Sequence, residues 1–302
     1  MIIPDSIPHV LEVRVHRAER PRAGCLAVCI EVPHGAAGNA EYAAVADVLR
    51  SPLPTSLVDF FHVNTDAGAF EVAEATARLL CERGAASIVV VLRSCIPRTF
   101  IDCNRVLGAS REEYRSGGVT PGVPPWITDP ADHALLVARY DAYHAAVQTA
   151  IATVGEAGGH ILLLHTYAPR SVGVEVSPNI VADLHAAYLP GTLETWPLRP
   201  EVDLIHRTPE GLRTVSEVRA AALGRELAAE GLALADGETY PMHPVTTAWA
   251  TVHAFPDRVA CLEVRRDLLT EAFVPFVEVV PDAGRCERVA RALAGWLGGG
   301  DG

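Results

Sequence analysis

Three continuous apolar runs constrain the fold of this chain more than any other feature. They lie at residues 25–32 (CLAVCIEV), 86–92 (ASIVVVL) and 160–164 (HILLL). Apolar runs without polar alternation are typical of strands that are buried on both faces of a sheet. Because stretches with helical spacing of apolar residues separate these runs, the sequence predicts strands alternating with helices. We therefore expect an α/β fold in three layers, with a mixed, mostly parallel sheet flanked by helices.

Weaker patterns predict the other elements. Residues 10–16 alternate apolar and polar side chains, as a half-exposed edge strand does, and further strands are expected at residues 56–63, 202–206 and 258–265. Residues 214–217 form a capping-box pattern at the start of a helix that ends at residue 229. The other helices are expected at residues 40–49, 67–83, 132–158, 180–188 and 286–297.

Residues 115–131 are rich in proline and glycine and are predicted to form a long loop. Long loops in compact domains often cover or line a binding site. No linker composition divides the chain, so we expect one domain over residues 1–302, with residues 298–302 as a disordered tail.

The composition argues against several classes of function. A formal net charge of −12 disfavours binding to nucleic acid, since that binding depends on basic surfaces. No segment has the length and apolar content of a membrane span, and the N-terminus lacks the pattern of a signal peptide. We expect a soluble, cytoplasmic protein with no nucleic-acid or membrane partner. The seven scattered cysteines are expected to be buried, reduced thiols.

Three side chains that can bind metal ions follow predicted strands. His34 comes after the first apolar run, which Pro33 ends, while Asp66 follows the strand expected at 56–63 and His165 follows the run at 160–164. Ligands of open α/β sheets bind at the carboxyl ends of the strands. Two imidazoles and a carboxylate are a usual ligand set for catalytic zinc. Taken singly, the same residues could be a turn histidine, a helix N-cap and an interior histidine; their coincidence favours a metal site.

Five short motifs carry a resemblance to a known family. They are Val-Pro-His-Gly at 32–35, Asn-Thr-Asp at 64–66, Arg-Thr-Phe-Ile-Asp-Cys-Asn-Arg at 98–105, Leu-Leu-His-Thr at 163–166 and Glu-Val-Arg-Arg-Asp-Leu at 263–268. In this order they resemble motifs of the N-formylglutamate amidohydrolase family, with Gly35 at the position of a family serine. The chain is similar to a divergent member of that family, which shares a zinc-carboxypeptidase-like, phosphorylase/hydrolase-like fold with the aspartoacylases.

The resemblance implies a metal site and a general base. His34, Asp66 and His165 would hold one divalent metal ion, with zinc as the expected metal, and Glu41 is the alternative carboxylate ligand. Glu263 would be the general base, because a carboxylate between apolar neighbours on a core strand requires a partner or a function.

The resemblance also implies a substrate clamp. Asn104 and Arg105 would bind a substrate carboxylate, and Arg98 would stabilise the oxyanion or bind a second carboxylate. Asp102 would orient the two arginines, although ion pairing with Asp102 could equally be their whole role. Weaker candidates for the pocket wall are Tyr167, Arg170 and His243.

The function implied is metal-dependent hydrolysis of the amide bond of an N-acyl amino acid, such as N-formylglutamate. The expected partner is therefore a small-molecule substrate that bears a carboxylate, while the oligomeric state stays open. Two alternatives are a carboxypeptidase-like metallopeptidase and a non-catalytic binding protein on the same fold.

Overall fold

One seven-stranded sheet runs through the part of the chain that the computed structural model describes, residues 2–299. Its strands are β1 (Leu11–Arg17), β2 (Leu26–Val32), β3 (Ala86–Ser94), β4 (His160–Tyr167), β5 (Val202–Leu204), β6 (Leu234–Ala235) and β7 (Val259–Arg265). Their spatial order is β1-β3-β2-β4-β7-β5-β6. The four central strands β3, β2, β4 and β7 are parallel to one another, whereas β1 pairs antiparallel with β3 and β5 pairs antiparallel with β7.

Helices cover both faces of the sheet. They are α1 (Asn39–Ala46), α2 (Leu57–Asn64), α3 (Ala69–Glu82), α4 (Arg111–Ser116), α5 (Pro130–Glu156), α6 (Ile180–Ala187), α7 (Glu217–Ala229), α8 (Thr247–Ala254) and α9 (Ala283–Gly298). One buried apolar cluster joins the sheet to α3, α7 and α9, and a second joins its other face to α1, α2, α5, α6 and α8. The predicted three-layer α/β fold with a mixed, mostly parallel sheet is confirmed.

The apolar runs form the centre of the sheet as expected. The runs at 25–32, 86–92 and 160–164 become β2, β3 and β4, and β1 forms the predicted edge strand, which pairs antiparallel with β3. Helix α5 begins where Asp129 accepts a hydrogen bond from the Ala131 amide (2.7 Å), next to Pro130 in the first turn.

The prediction of a strand at residues 56–63 is wrong, because these residues form α2. Leu57, Phe60 and Phe61 are spaced by three and four residues and are buried, which is the spacing of a helix face. The short apolar run carried both signals, and periodicity alone cannot separate a buried strand from a buried helix turn. Asp66 therefore follows a helix.

Smaller differences concern element boundaries and unpredicted elements. His165 lies inside β4 instead of after it, and α8 and β6 had no sequence prediction. The N-cap of α7 is Ser216, whose hydroxyl accepts a hydrogen bond from the Arg219 amide (3.4 Å), so Thr214 is outside the cap.

Two further expectations concern the tail and the domain. The predicted tail overlaps α9 at Gly298, and residues 300–302 lie outside the described residues. The expectation of one domain stays a prediction; β5, β6 and α7 belong to the same layers as the rest. Within residues 2–299, no helix combines the length and apolar character that crossing a membrane requires.

Candidate active site

The side chains of His34, Asp66 and His165 lie together at the carboxyl ends of the central strands β2 and β4. Pro33 follows the last residue of β2, and a turn in which the Gly35 amide bonds to the Val32 carbonyl (3.2 Å) then presents His34. Asp66 lies in the short connection between α2 and α3, and His165 lies in β4. All three side chains are buried, although 131 residues separate the two histidines.

The spacing of the three ligand atoms suits a tetrahedral ion. Nδ1 of His34 is 3.1 Å from Oδ2 of Asp66, Nδ1 of His165 is 3.0 Å from the same oxygen, and the two nitrogens are 3.3 Å apart. Two ligands of one tetrahedral zinc ion are about 3.3 Å apart, since Zn–N and Zn–O bonds are about 2.0–2.2 Å long. The residues therefore fit a divalent ion by spacing and by chemical type.

The hydrogen bond on the far side of His34 supports the same conclusion. Its Nε2 is 2.7 Å from Oδ1 of Asp102, and the N–H group at Nε2 donates a hydrogen bond to this carboxylate oxygen. A neutral imidazole with its proton on Nε2 directs the lone pair of Nδ1 toward Asp66, whose oxygen also carries lone pairs. A cation between these atoms removes their repulsion, as would a second proton on Nδ1, which would donate a hydrogen bond to Asp66. A carboxylate that orients a ligand histidine is a usual feature around metal ions.

Glu41, the alternative carboxylate ligand, lies apart from this cluster. Its side chain closes the capping box of α1 by accepting a hydrogen bond from the Gly38 amide (2.7 Å), and it forms an ion pair with Arg93. Both carboxylate oxygens of Glu41 are thus engaged with the start of a helix and a guanidinium. Among residues 2–299, the group of three side chains that could hold an ion consists of His34, Asp66 and His165.

Glu263 lies in β7 and is paired in register with His165 of β4. Its side chain lines the same cavity as the two histidines, and Oε2 is buried without a hydrogen-bond partner in the described part of the chain. Burial raises the pKa of Glu263 to about 7, with the Asp66 carboxylate adding to the rise and His165 opposing it. A carboxylate with such a pKa suits proton transfer near neutral pH.

Asp102 holds the two predicted arginines together. Its Oδ2 is 2.8 Å from Nη2 of Arg98 and 3.7 Å from Nη2 of Arg105. Its Oδ1 accepts a hydrogen bond from the backbone N–H of Asn104 (2.8 Å). Although burial alone would raise it, the Arg105 and Arg98 guanidiniums hold the pKa of Asp102 well below its usual range. Nδ2 of Asn104 is 3.5 Å from Nε2 of His165, so the clamp adjoins the ligand cluster.

A cavity of about 250 Å³ connects these groups. Its lining includes His34, His165, Arg98, Asn104, Arg105 and Glu263, whereas Asp66 lines a second, smaller cavity. The loop predicted at 115–131 contributes residues 118–120, and the Thr120 carbonyl accepts a hydrogen bond from Nε of Arg105 (3.1 Å).

The weaker candidates occupy different places. Tyr167 and Arg170 line the cavity, but both are bonded to backbone: the Tyr167 hydroxyl to the Pro200 carbonyl (2.7 Å) and Arg170 to the Trp196 carbonyl (2.6 Å). His243 is outside the cavity lining and contacts the Ser116 hydroxyl at 3.3 Å.

The cavity residues that sequence reasoning missed include Arg199, Tyr240 and Arg266. Arg199 donates a hydrogen bond to the Tyr240 hydroxyl (2.8 Å), and both side chains line the cavity together with Arg266. Arg199 and Tyr240 lie in irregular segments that carry no local motif. Arg266 falls inside the Glu-Val-Arg-Arg-Asp-Leu motif, three residues after Glu263, and that position was its one available signal.

Comparison with known proteins assigns the chain to a family. The sequence model described as N-formylglutamate amidohydrolase matches residues 26–270. The chain belongs to the N-formylglutamate amidohydrolase family. It is therefore a hydrolase that acts on amide bonds. No curated protein sequence matches the chain.

Two solved structures with TM-scores above 0.5 share the fold. An N-formylglutamate amidohydrolase from Ralstonia eutropha JMP134 aligns with a TM-score of 0.59 at 16% identity, over 93% of this chain and 95% of that one. A gene product from Agrobacterium tumefaciens aligns with a TM-score of 0.54 at 21% identity, over 95% and 93% of the two chains. A metallo-carboxypeptidase from Burkholderia cenocepacia gives a TM-score of 0.38 at 13% identity, over 95% and 64%.

Within this N-formylglutamate amidohydrolase family member, packing explains why Gly35 stands where the resembled motif has serine. A Cβ atom at Gly35 would lie 2.5 Å from Cγ of Arg93 and 3.2 Å from the Ser94 carbonyl oxygen. Arg93 occupies that space and donates a hydrogen bond from Nε to the Gly35 carbonyl (2.9 Å). The arginine thus fixes the turn that presents His34.

Proposed function

We propose that this enzyme uses one divalent metal ion, zinc, to hydrolyse the amide bond of an N-acyl amino acid with a free carboxylate, such as N-formylglutamate. One observation carries the proposal. His34, Asp66 and His165 bring two nitrogens and one oxygen within 3.3 Å of one another, beside a cavity that Glu263 and Arg105 also line.

Each residue has a role that its surroundings support. A divalent ion bound by His34, Asp66 and His165 supplies polarisation of the amide carbonyl and lowers the pKa of a water molecule. Glu263 takes the proton of the attacking water and delivers it to the leaving nitrogen, a role supported by its raised pKa and its unpartnered oxygen.

The clamp beside the ligand cluster fixes the substrate. Arg105 and Asn104 bind the substrate carboxylate, because a guanidinium offers two parallel N–H donors to one carboxylate. Arg98 stabilises the charge that develops on the carbonyl oxygen. Its Nη1 is 3.6 Å from Oδ1 of Asp66, and its Nη2 is 2.8 Å from Oδ2 of Asp102.

We also propose a reducing compartment, the cytoplasm. All seven cysteines are free thiols in the structure, and disulfides are rare in reducing compartments.

Amine release from a substrate panel tests the proposal. Zinc-loaded protein is mixed with N-formyl-L-glutamate, N-acetyl-L-glutamate or a dipeptide, with and without a chelator. We expect release from an N-acyl amino acid that the chelator abolishes and added zinc restores. Release from the dipeptide alone would favour a carboxypeptidase-like metallopeptidase, and release unaffected by the chelator would reject metal dependence.

A Glu263→Gln variant should keep its zinc and lose at least about 100-fold in kcat; retained turnover removes Glu263 from the role of base.

A further inference from the structure

We propose that the cavity contains a subsite for an apolar group, so that among N-acyl amino acids the enzyme prefers those with one carboxylate and one apolar substituent over a dicarboxylate such as N-formylglutamate. This inference rests on the proposed amide hydrolysis and specifies its substrate class. The apolar group of the substrate can belong either to its acyl chain or to its amino-acid side chain.

One wall of the cavity is built from aliphatic side chains and is therefore apolar, unlike the charged clamp at Arg105. After β4 the chain runs through Val172, Val174 and Val176, which alternate with Ser171, Gly173 and Glu175. The three valines are half-buried and line the cavity, while Gly173 and Glu175 are exposed to solvent. A period of two directs alternate side chains to one side of an extended segment. The valines therefore present one continuous apolar stripe to the cavity.

Two helices extend this stripe. Ile180 and Leu184 of α6 are buried and line the cavity at helical spacing, and Phe60 of α2 lines it as well. We call these six residues, Val172, Val174, Val176, Ile180, Leu184 and Phe60, the apolar wall. Concave sites use such walls to bury apolar ligand atoms and a few polar groups to fix orientation. The clamp at Arg105 supplies the orientation, and the apolar wall lies in the same cavity.

Two arginines of the cavity lining, Arg170 and Arg199, are engaged with protein groups. Arg170 donates to the Trp196 carbonyl at 2.6 Å. Arg199 donates from Nε to the Ser171 hydroxyl (3.0 Å) and from Nη2 to the Tyr240 hydroxyl (2.8 Å). Both guanidiniums therefore hold cavity walls in place.

Arg266 supports the competing interpretation, a second carboxylate on the substrate. It is buried, its Nη1 is 3.2 Å from the Val63 carbonyl at the end of α2, and its Nε has no partner in the described residues. The carboxyl end of a helix stabilises a cation, so α2 compensates part of this charge. Phe273, whose ring centroid lies 5.8 Å from the guanidinium carbon, packs beside it. The two interpretations predict opposite substrate preferences.

Four substrates separate the possibilities by kcat/KM for amine release from zinc-loaded enzyme. N-formyl-L-leucine carries the apolar group on the amino acid, N-hexanoylglycine carries it on the acyl chain, N-formyl-L-glutamate carries a second carboxylate, and N-formyl-L-alanine carries neither. We expect the leucine or the hexanoyl substrate to exceed the alanine substrate by at least about 10-fold.

A matched pair of variants locates the effect. Val174→Thr keeps the shape of the side chain and adds a hydroxyl to the apolar wall, so it should lower the apolar-to-alanine preference at least about 5-fold. Val181→Thr makes the same change at a half-buried residue of α6 outside the cavity lining, and the preference should not move.

The contrary outcomes are distinct. A preference for N-formyl-L-glutamate that Val174→Thr leaves unchanged and Arg266→Met removes would overturn the apolar subsite and assign a second carboxylate to Arg266, with the proposed function intact. Absence of amine release from all four substrates would reject the proposed function, and the subsite with it.

Discussion

At the scale of single residues, Gly35 links packing to the ligand cluster. Because a Cβ at this position would collide with Arg93, Gly35→Ala should displace the guanidinium and loosen the turn that holds His34. We expect zinc affinity to fall by about 10-fold, the lower end of the effect seen when groups supporting a ligand are changed. Competition with a coloured zinc chelator measures it. Gly224→Ala in α7, where the nearest atom is 3.7 Å away, is the control and should bind zinc like the wild type; equal affinity of all three proteins would contradict the role of Arg93.

Glu263 shows the cost of a buried base. Burial raises its pKa to about 7 in the folded protein, above its value of about 4.3 in an unfolded chain. The folded state therefore prefers the protonated form, and stability decreases as pH rises between these values. Glutamine stays neutral, so metal-free Glu263→Gln should melt at least about 2 °C above metal-free wild type at pH 8. At pH 5, where the wild-type carboxyl is also mostly protonated, the two melting temperatures should converge. A difference independent of pH would mean that Glu263 is solvated.

At the scale of elements, the α2–α3 connection delivers Asp66. The Thr65 hydroxyl donates to the Ala36 carbonyl (2.7 Å) and ties this connection to the turn after β2. Thr65→Val removes the bond, so we expect the free energy of unfolding to fall by about 1 kcal/mol and zinc affinity to fall with it. Thr76→Val in α3 is the matched control, because Thr76 is equally buried and its hydroxyl donates to the Val72 carbonyl at 2.7 Å. Zinc affinity should be unchanged in the control, and a loss in both variants would indicate general loosening.

The sequence predicted the elements whose signal is local. Continuous apolar runs identified the central strands, and helical spacing at 132–158 identified α5, which in the structure begins at Pro130. The error at α2 arose because its buried aromatic residues resemble a strand until the tertiary packing is known. The three residues predicted as metal ligands nevertheless lie together in the structure, since His34, Asp66 and His165 lie next to identifiable elements. Arg199 and Tyr240 reach the cavity only through long-range packing, which no local pattern encodes.

At the scale of the whole molecule, the proposed ligands join distant parts of the chain. His34 follows β2, Asp66 follows α2 and His165 lies in β4, so an unfolded chain does not hold the three together. An ion that binds only the folded state stabilises it, by about 2.7 kcal/mol when the free ion is at 100 times its Kd. Zinc should therefore raise Tm by about 5 °C, since about 1 kcal/mol moves Tm by about 2 °C in a chain of this size.

The zinc-induced rise in Tm also identifies the carboxylate ligand, because the rise should disappear only when the carboxylate that binds zinc is removed. Asp66→Asn keeps the size of the side chain and removes its charge, so we expect its Tm to be the same with zinc and with a chelator. Glu41→Gln should keep most of the shift, because Glu41 is bound to the Gly38 amide and to Arg93, away from the histidines. Differential scanning fluorimetry at several zinc concentrations measures both variants beside the wild type. The reverse pattern, with the shift lost in Glu41→Gln and kept in Asp66→Asn, would transfer the carboxylate ligand to Glu41, and a wild-type Tm independent of zinc would reject the metal site altogether.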